Sequence, residues 1–115
     1  MNSILNIKEI KEVKVASFDG INRFNAVVSQ TVKEQINHYL SESGTKLIFD
    51  FEGIRFIDSS AFGALISNLK TAKQCNSTFK LCNLAPEVKD IIYVMQLDTV
   101  FTISDTLDEC IKSMN

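Results

Sequence analysis

The sequence has few of the residues that metal sites, disulfides and phosphate-binding loops require. Its three cysteines, Cys75, Cys82 and Cys110, have no Cys-x-x-Cys spacing, so we expect free, mostly buried thiols and no zinc site. The four glycines are too scattered for a Gly-x-Gly-x-x-Gly or Walker loop. The single histidine, His38, lies off the apolar pattern around it and is expected at the surface. We therefore expect no cofactor, no bound metal and no catalytic centre.

The sequence also lacks a basic cluster and a long apolar run. Twelve Lys and Arg against fourteen Asp and Glu give a net charge of −2, which disfavours nucleic-acid binding because that needs a basic patch. No apolar run approaches the roughly 20 residues of a membrane span, and residues 1–6 do not resemble a signal peptide. Apolar residues make up 45%, enough for a packed core. We therefore expect one cytoplasmic domain over residues 1–115, without membrane insertion.

Apolar periodicity predicts strands that alternate with helices. Strands are predicted at 4–7, 13–18, 46–51, 78–83 and 98–103. The first predicted helix runs from a cap at Asn22 or Asn25 to Leu40, and the second covers about 60–74. The third runs from Pro86 through Met95, and the fourth from a cap at Asp105 through Met114. The run at 46–51 is almost continuously apolar, as in a strand buried on both faces. Such alternation requires right-handed crossovers. The predicted fold class is α/β, with a mostly parallel central sheet, an antiparallel edge strand and about four helices.

The helical spacing also predicts which side chains face the core. In the helix at about 60–74 they are Ala61, Phe62, Leu65, Ile66, Leu69 and Ala72. In the helix that begins at Pro86 they are Val88, Ile91, Ile92 and Met95. Phe62 has an alternative interpretation as an exposed anchor for a partner, because aromatic residues are enriched at the centres of interfaces.

Asp58, Ser59 and Ser60 stand where an apolar strand-and-turn region gives way to a helix. Asp and Ser are common helix N-caps, which is the simplest interpretation of these residues. The first-turn N–H groups and the helix dipole also favour negative charge, so the fold would tolerate a phosphate there. That phosphate would change the surface charge by about −1.5 to −2. The stretch is therefore a candidate switch, with Ser59 as the first candidate and Ser60 as the alternative.

The sequence resembles the STAS family, named for sulfate transporters and anti-sigma factor antagonists. The segments that carry the resemblance, in the family's order, are 47–51, 56–60 with Gly63, 85–88 and 95–101. Within the family, the chain is most similar to the free-standing anti-sigma factor antagonists. The resemblance implies the STAS fold and a protein that is not itself an enzyme.

The resemblance also implies a partner-switching cycle. The partner is an anti-sigma factor that is also a serine kinase; the dephosphorylated antagonist binds it and thereby releases the sigma factor. Phosphorylation of the serine after the aspartate, here Ser59, separates the two proteins, and a serine phosphatase resets the switch. The partner-binding residues implied in this way are Asp58, Ser59, Ser60, Phe62, Gly63 and Asn22.

A role in transport is the alternative that the same family implies. STAS proteins also bind the ATPase of a bacterial lipid ABC transporter, and others form the cytoplasmic tail of anion transporters. The tail is disfavoured because the sequence has no membrane segment. The ABC-transporter subunits often replace the phosphorylatable serine, which this chain retains as Ser59.

Overall fold

A computed structural model describes residues 4–114, and within them an α/β fold with the predicted alternation of strands and helices. The strands are β1 (Leu5–Ile10), β2 (Val13–Phe18), β3 (Arg23–Phe24), β4 (Lys46–Asp50), β5 (Phe56–Ile57), β6 (Thr78–Cys82) and β7 (Thr102–Ser104). The helices are α1 (Ala26–Leu40), α2 (Ser59–Gln74), α3 (Pro86–Val94) and α4 (Leu107–Ser113), and a 3-10 turn covers Leu97–Thr99.

The main sheet has the strand order β1-β2-β4-β6-β7. β1 pairs antiparallel with β2, whereas the other neighbours pair in parallel. The two-residue turn between β1 and β2 has positive φ at Lys11 (51°) and Glu12 (67°), a backbone twist that matches the twist of a hairpin. The predicted fold class, with a mostly parallel sheet, an antiparallel edge strand and four helices, is confirmed.

Both faces of the sheet are covered. β4 alternates between them, since Leu47 and Phe49 pack in the large core that includes buried residues of α1, α2 and α3, whereas Ile48 packs with Cys110 and Ile111 of α4. The prediction that this strand is buried on both faces is confirmed. The large core therefore also supports β3 and β5, the short strands that lead into α1 and α2.

Aromatic side chains form the centre of the large core. The Phe49 ring lies 4.8 Å from Phe51, 4.9 Å from Phe18, 6.1 Å from Phe24 and 6.5 Å from Phe79, measured between ring centroids. Such tilted and offset pairs add to the free energy of simple burial. Because Phe24 belongs to β3, this cluster also fixes the segment that leads into α1.

The segment from Gln96 to Leu107 differs from its prediction. The predicted strand at 98–103 is wrong except at its last two residues, because a residue with left-handed backbone, Gln96 (φ 59°), leads into the 3-10 turn and β7 begins only at Thr102. The predicted cap of the last helix is also wrong. Thr106 caps α4 through the backbone N–H of Glu109 (3.2 Å), whereas Asp105 forms an ion pair with Lys89 (3.1 Å).

Three side chains that were predicted to face the core are exposed. These are Ile66 (43% exposed), Ile91 (39%) and Met95 (48%). α2 packs on α1 through a stripe that includes Ala64 and Asn68, which turns Ile66 outward. α3 has only nine residues and buries Val88 and Ile92, so its other side stays in solvent. In both helices the apolar pattern is wider than the face that the neighbouring elements cover.

A buried asparagine joins α1 to α2. The Asn68 amide nitrogen donates to the Lys33 carbonyl (3.2 Å) and to Asn37 Oδ1 (2.8 Å), and the Asn37 amide donates to Ser67 Oγ (3.3 Å). Asn68 is fully buried, so these bonds offset the desolvation of its amide nitrogen, whereas its Oδ1 is buried without a hydrogen-bond partner among residues 4–114. The sequence pattern missed this contact because it assigned only apolar residues to the packed face.

Candidate functional site

α1 and α2 begin side by side because β3 and β5 pair in parallel. Arg23 lies opposite Phe56, and Phe24 lies opposite Ile57. The backbone N–H of Asp58 donates to the Phe24 carbonyl (3.3 Å), which continues the pairing up to the start of α2. Two helix N-termini, each with N–H groups that have no partner within their own helix and with a partial positive charge, therefore form one surface.

The Asp58 carboxylate binds both helix N-termini. Its Oδ1 accepts a hydrogen bond from the backbone N–H of Ala61 in α2 (3.1 Å), and its Oδ2 accepts one from the N–H of Ala26 in α1 (3.1 Å). Asn25, one of the two predicted caps of α1, adds a bond from the N–H of Val27 (3.1 Å). Asp58 is thus the cap that the sequence indicates. It also links two helices, which the sequence does not indicate.

The predicted switch serine lies directly beside this link. Ser59 is the first residue of α2, and its side chain is exposed. Asn22 is also exposed, and its carbonyl accepts the backbone N–H of Arg55 (2.9 Å), which holds it against the loop before β5. The β3–β5 pair therefore connects the three residues, with Asn22 just before β3 and Asp58 and Ser59 just after β5.

Ser60 and Gly63 face a different part of the surface. Both line a groove of about 170 Å³ between α1 and α2, whose α1 side includes Ser29 and Lys33. A Cβ atom at Gly63 would meet nothing within 4 Å, so this glycine leaves the groove open. The groove adjoins Ser59, and Ser60 is the residue that connects the two surfaces.

Phe62 does not reach the surface. Its side chain is only 3% exposed and packs in the large core. The core interpretation of Phe62 is confirmed, and the interpretation as an exposed anchor is wrong, because the helix turns this position toward the sheet. A partner therefore cannot contact the Phe62 ring at this surface.

Two exposed apolar residues beside the helix starts escaped the sequence analysis. Val27, in the first turn of α1, is 87% exposed, and Phe56 is 47% exposed. The Arg23 guanidinium lies 5.2 Å from the centroid of the Phe56 ring, within cation–π distance. Val27 lies one residue before the i, i+4 series of apolar residues that predicts the buried face of α1, which was the available signal that it faces outward; that series is Val28, Val32, Ile36 and Leu40.

An ion pair ties the loop before β5 to the start of α3. Arg55 Nη2 lies 3.1 Å from Glu87 Oε2, and both side chains are largely exposed. The pKa of Glu87 is lowered first by its own backbone N–H at the helix start and second by Arg55. Any stability that this carboxylate adds is present above the ordinary pKa of glutamate and is lost as the pH falls through its lowered value.

We expect Arg55→Ala to raise the pKa of Glu87 while leaving it below its ordinary value. The reason is that the larger cause, the backbone hydrogen bond, remains in this variant. An NMR pH titration of the Glu87 carboxyl measures this, with Arg23→Ala as the control because Arg23 is not part of the pair. An unchanged pKa in Arg55→Ala would contradict the role assigned to Arg55.

Residues 4–114 contain no group of three or more His, Cys, Asp or Glu side chains placed to hold a metal ion. In the same part of the chain, no helix combines the length and apolar character that a membrane crossing requires. The surface at the two helix starts consists instead of small polar, charged and apolar side chains.

Solved structures share this fold. An anti-sigma-factor antagonist (STAS) domain protein from Planctomyces limnophilus superposes with a TM-score of 0.87 at 22% identity, over 96% of this chain and 97% of that one. The phosphorylated form of SpoIIAA, a Bacillus cell fate determinant, gives 0.68 at 16% identity, over 96% and 99%. The murine anion transporter Slc26a9 gives 0.72 at 18% identity, over 90% of this chain and 18% of that one.

The family assignment comes from the sequence match. The family model described as the STAS domain matches residues 5–110. This range contains every segment on which the resemblance rests, from the strand at 47–51 to the segment at 95–101. The chain therefore belongs to the STAS domain family.

Proposed function

We propose that this protein is an anti-sigma factor antagonist that binds an anti-sigma factor with serine kinase activity and is released when Ser59 is phosphorylated. The observation that carries the proposal is the position of Ser59, exposed at the first residue of α2 and next to the two-helix link at Asp58. A kinase can reach a small hydroxyl at such a position without unfolding the helix. The protein acts by binding in the cytoplasm and catalyses no reaction itself.

The proposed contact surface lies around the two helix starts. Its members are Asn22, Asp58, Ser59, Ser60 and Gly63, together with the exposed side chains of Val27 and Phe56. The apolar side chains supply area that a partner can bury, and the polar ones surround it. Phosphate on Ser59 would therefore lie inside the contact rather than at a distance from it.

The proposed switch acts through charge. The phosphate adds about −1.5 to −2 charges, and the helix N-terminus tolerates them in the free protein. Burying that charge unpaired under a partner costs several kcal/mol, and each 1.4 kcal/mol is about tenfold in affinity. The adjacent Asp58 carboxylate increases the local negative charge further. A serine phosphatase would restore binding by removing the phosphate.

Family membership and the structural likenesses support this proposal. The Planctomyces limnophilus protein is an anti-sigma-factor antagonist, and SpoIIAA was solved in a phosphorylated form. Both are similar to this chain over nearly their whole length.

The experiment is an affinity capture from lysate of the native cell, with partners identified by mass spectrometry. Wild type and Ser59→Asp are compared, with Ser43→Asp as the matched control because Ser43 is exposed in the loop after α1. We expect wild type and Ser43→Asp to capture the same serine kinase, and Ser59→Asp to bind it at least tenfold more weakly. Equal binding by Ser59→Asp would refute the charge switch.

A regulatory subunit of a bacterial ABC transporter for lipids is the second candidate. Family membership is compatible with it, since the same fold also occurs within a murine anion transporter. The same capture separates the two functions. If wild type and Ser59→Asp bound an ABC-transporter ATPase equally, the result would support the role in transport. Ser59 would then be a residue of the helix start and not a switch.

A further inference from the structure

The helices α2 and α3 lie side by side in one layer. Their buried apolar residues belong to the large core, whereas those of α4 pack with Ile48 on the other face of the sheet. α2 connects β4 to β6 and α3 connects β6 to β7, and these strands are neighbours in the main sheet. Because both crossovers have the same hand, the outer sides of α2 and α3 face away from the sheet in the same direction.

The outer side of α3 has exposed apolar side chains. Most of the large apolar side chains that are exposed in residues 4–114 lie between positions 91 and 100. Ile91, Val94 and Met95 follow the spacing i, i+3 and i+4, so they form one stripe, here called the α3 patch. Val94 is the most exposed of the three, at 82%. Exposed apolar area that is concentrated in this way is typical of a surface that another molecule covers.

Negative charge accompanies the α3 patch. Asp90 lies one turn before Val94, and Asp98 lies in the 3-10 turn that follows the helix. Both are exposed, and neither forms an ion pair with another residue in 4–114. The only basic residue between positions 86 and 100 is Lys89, which pairs with Asp105 (3.1 Å). A surface that fits this patch therefore needs apolar area with positive charge beside it.

The outer side of α2 has that chemistry. Ile66, Lys70 and Lys73 are exposed at positions i, i+4 and i+7, and together they are called the α2 stripe. α2 contains no acidic residue, and both lysines lack an ion-pair partner within residues 4–114. The α2 stripe and the α3 patch are therefore opposite in charge, and each has apolar side chains to bury.

We propose that a second copy of this chain covers the α3 patch, so that the protein forms a two-fold dimer through α2 and α3. Each α2 stripe then contacts the α3 patch of the other copy, and the contact occurs twice, as two-fold symmetry requires. Burial of the apolar side chains favours association, and the opposite charges select contacts of α2 with α3 over contacts between like helices. This interface uses no residue of the proposed contact surface, so the dimer and the proposed function are tested separately.

Sedimentation equilibrium of the purified protein over a range of concentrations tests the dimer. We expect the mass of wild type to rise from one chain to two. Val94→Ser should raise the dissociation constant about tenfold, because each dimer loses the apolar burial of two valines. Val27→Ser is the matched control, since Val27 is 87% exposed in the first turn of α1, and it should leave the dimer unchanged.

An exchange of charges tests which surfaces meet. One variant combines Lys70→Glu with Lys73→Glu, and the other combines Asp90→Lys with Asp98→Lys. Each variant alone should sediment as one chain, since like charges then face each other in both contacts. Mixed in equal amounts, the two variants should form a dimer, because every α2 stripe again faces a patch of opposite charge. Adding Val94→Ser to both should weaken the mixed dimer, which attraction between oppositely charged molecules alone would not produce.

Four results would overturn the proposal. The first is a wild-type mass of one chain at every concentration up to about 1 mM. The second is a dimer that Val27→Ser weakens and Val94→Ser leaves unchanged, and the third is a mixture of the charge variants that stays monomeric. The fourth is a monomeric wild type that binds neutral lipid vesicles through Val94, which would assign the patch to a membrane. Because wild type alone gives the primary result, a variant that fails to fold does not affect the test.

Discussion

Replacing Phe49 by alanine is expected to lower the free energy of unfolding by about 4 kcal/mol. Phe49 is fully buried and contacts four other phenylalanine rings, so truncation removes both apolar burial and aromatic packing. A domain of this size has about 5–15 kcal/mol in total, so this variant would be close to unfolding. Urea denaturation followed by circular dichroism measures the change.

Two variants control for the loss of the Phe49 ring. Phe49→Leu keeps most of the apolar contact and should lower the free energy of unfolding by about 1.5 kcal/mol. Tyr93→Ala removes a ring that is 51% exposed and should change the free energy of unfolding by less than about 0.5 kcal/mol. A loss in Phe49→Ala no larger than that in Tyr93→Ala would contradict the central position of Phe49 in the core.

Replacing Asp58 by alanine is expected to cost about 2–3 kcal/mol, which is large for an N-cap. The reason is that one carboxylate accepts N–H groups from two helices, Ala61 in α2 and Ala26 in α1. Its removal leaves both helix starts without that partner and frees α1 from α2 at the proposed contact surface. Thermal and urea unfolding of the variant measure the combined loss.

Asp58→Asn and Asn25→Ala separate the two contributions. Asparagine retains one acceptor oxygen, so it should preserve one of the two bonds and about half of the stability. Asn25→Ala removes a cap that serves α1 alone and should cost about 1 kcal/mol. If Asp58→Ala cost no more than Asn25→Ala, the bond to Ala26 would contribute nothing to stability.

Local patterns predicted much of this structure because they depend on neighbours in the sequence. The i, i+4 series from Val28 to Leu40 indicated α1, and the apolar run at 46–51 indicated a strand buried on both faces. β3 and β5 were missed because two residues are too few to show alternation. Ile66 was placed wrongly because the width of a buried face depends on what packs against it.

For the candidate site, the sequence determined the fold class, the family, the helix start after Asp58 and the candidacy of Ser59, all of which follow from short-range pattern and motif order. Only the tertiary structure decided that Asp58 joins two helices, that Phe62 is buried and that Asn68 binds α1. Each of these depends on strand register or helix packing between segments far apart in the chain. Periodicity within one segment carries no information about the distance between two of them, and the packed core determines that distance.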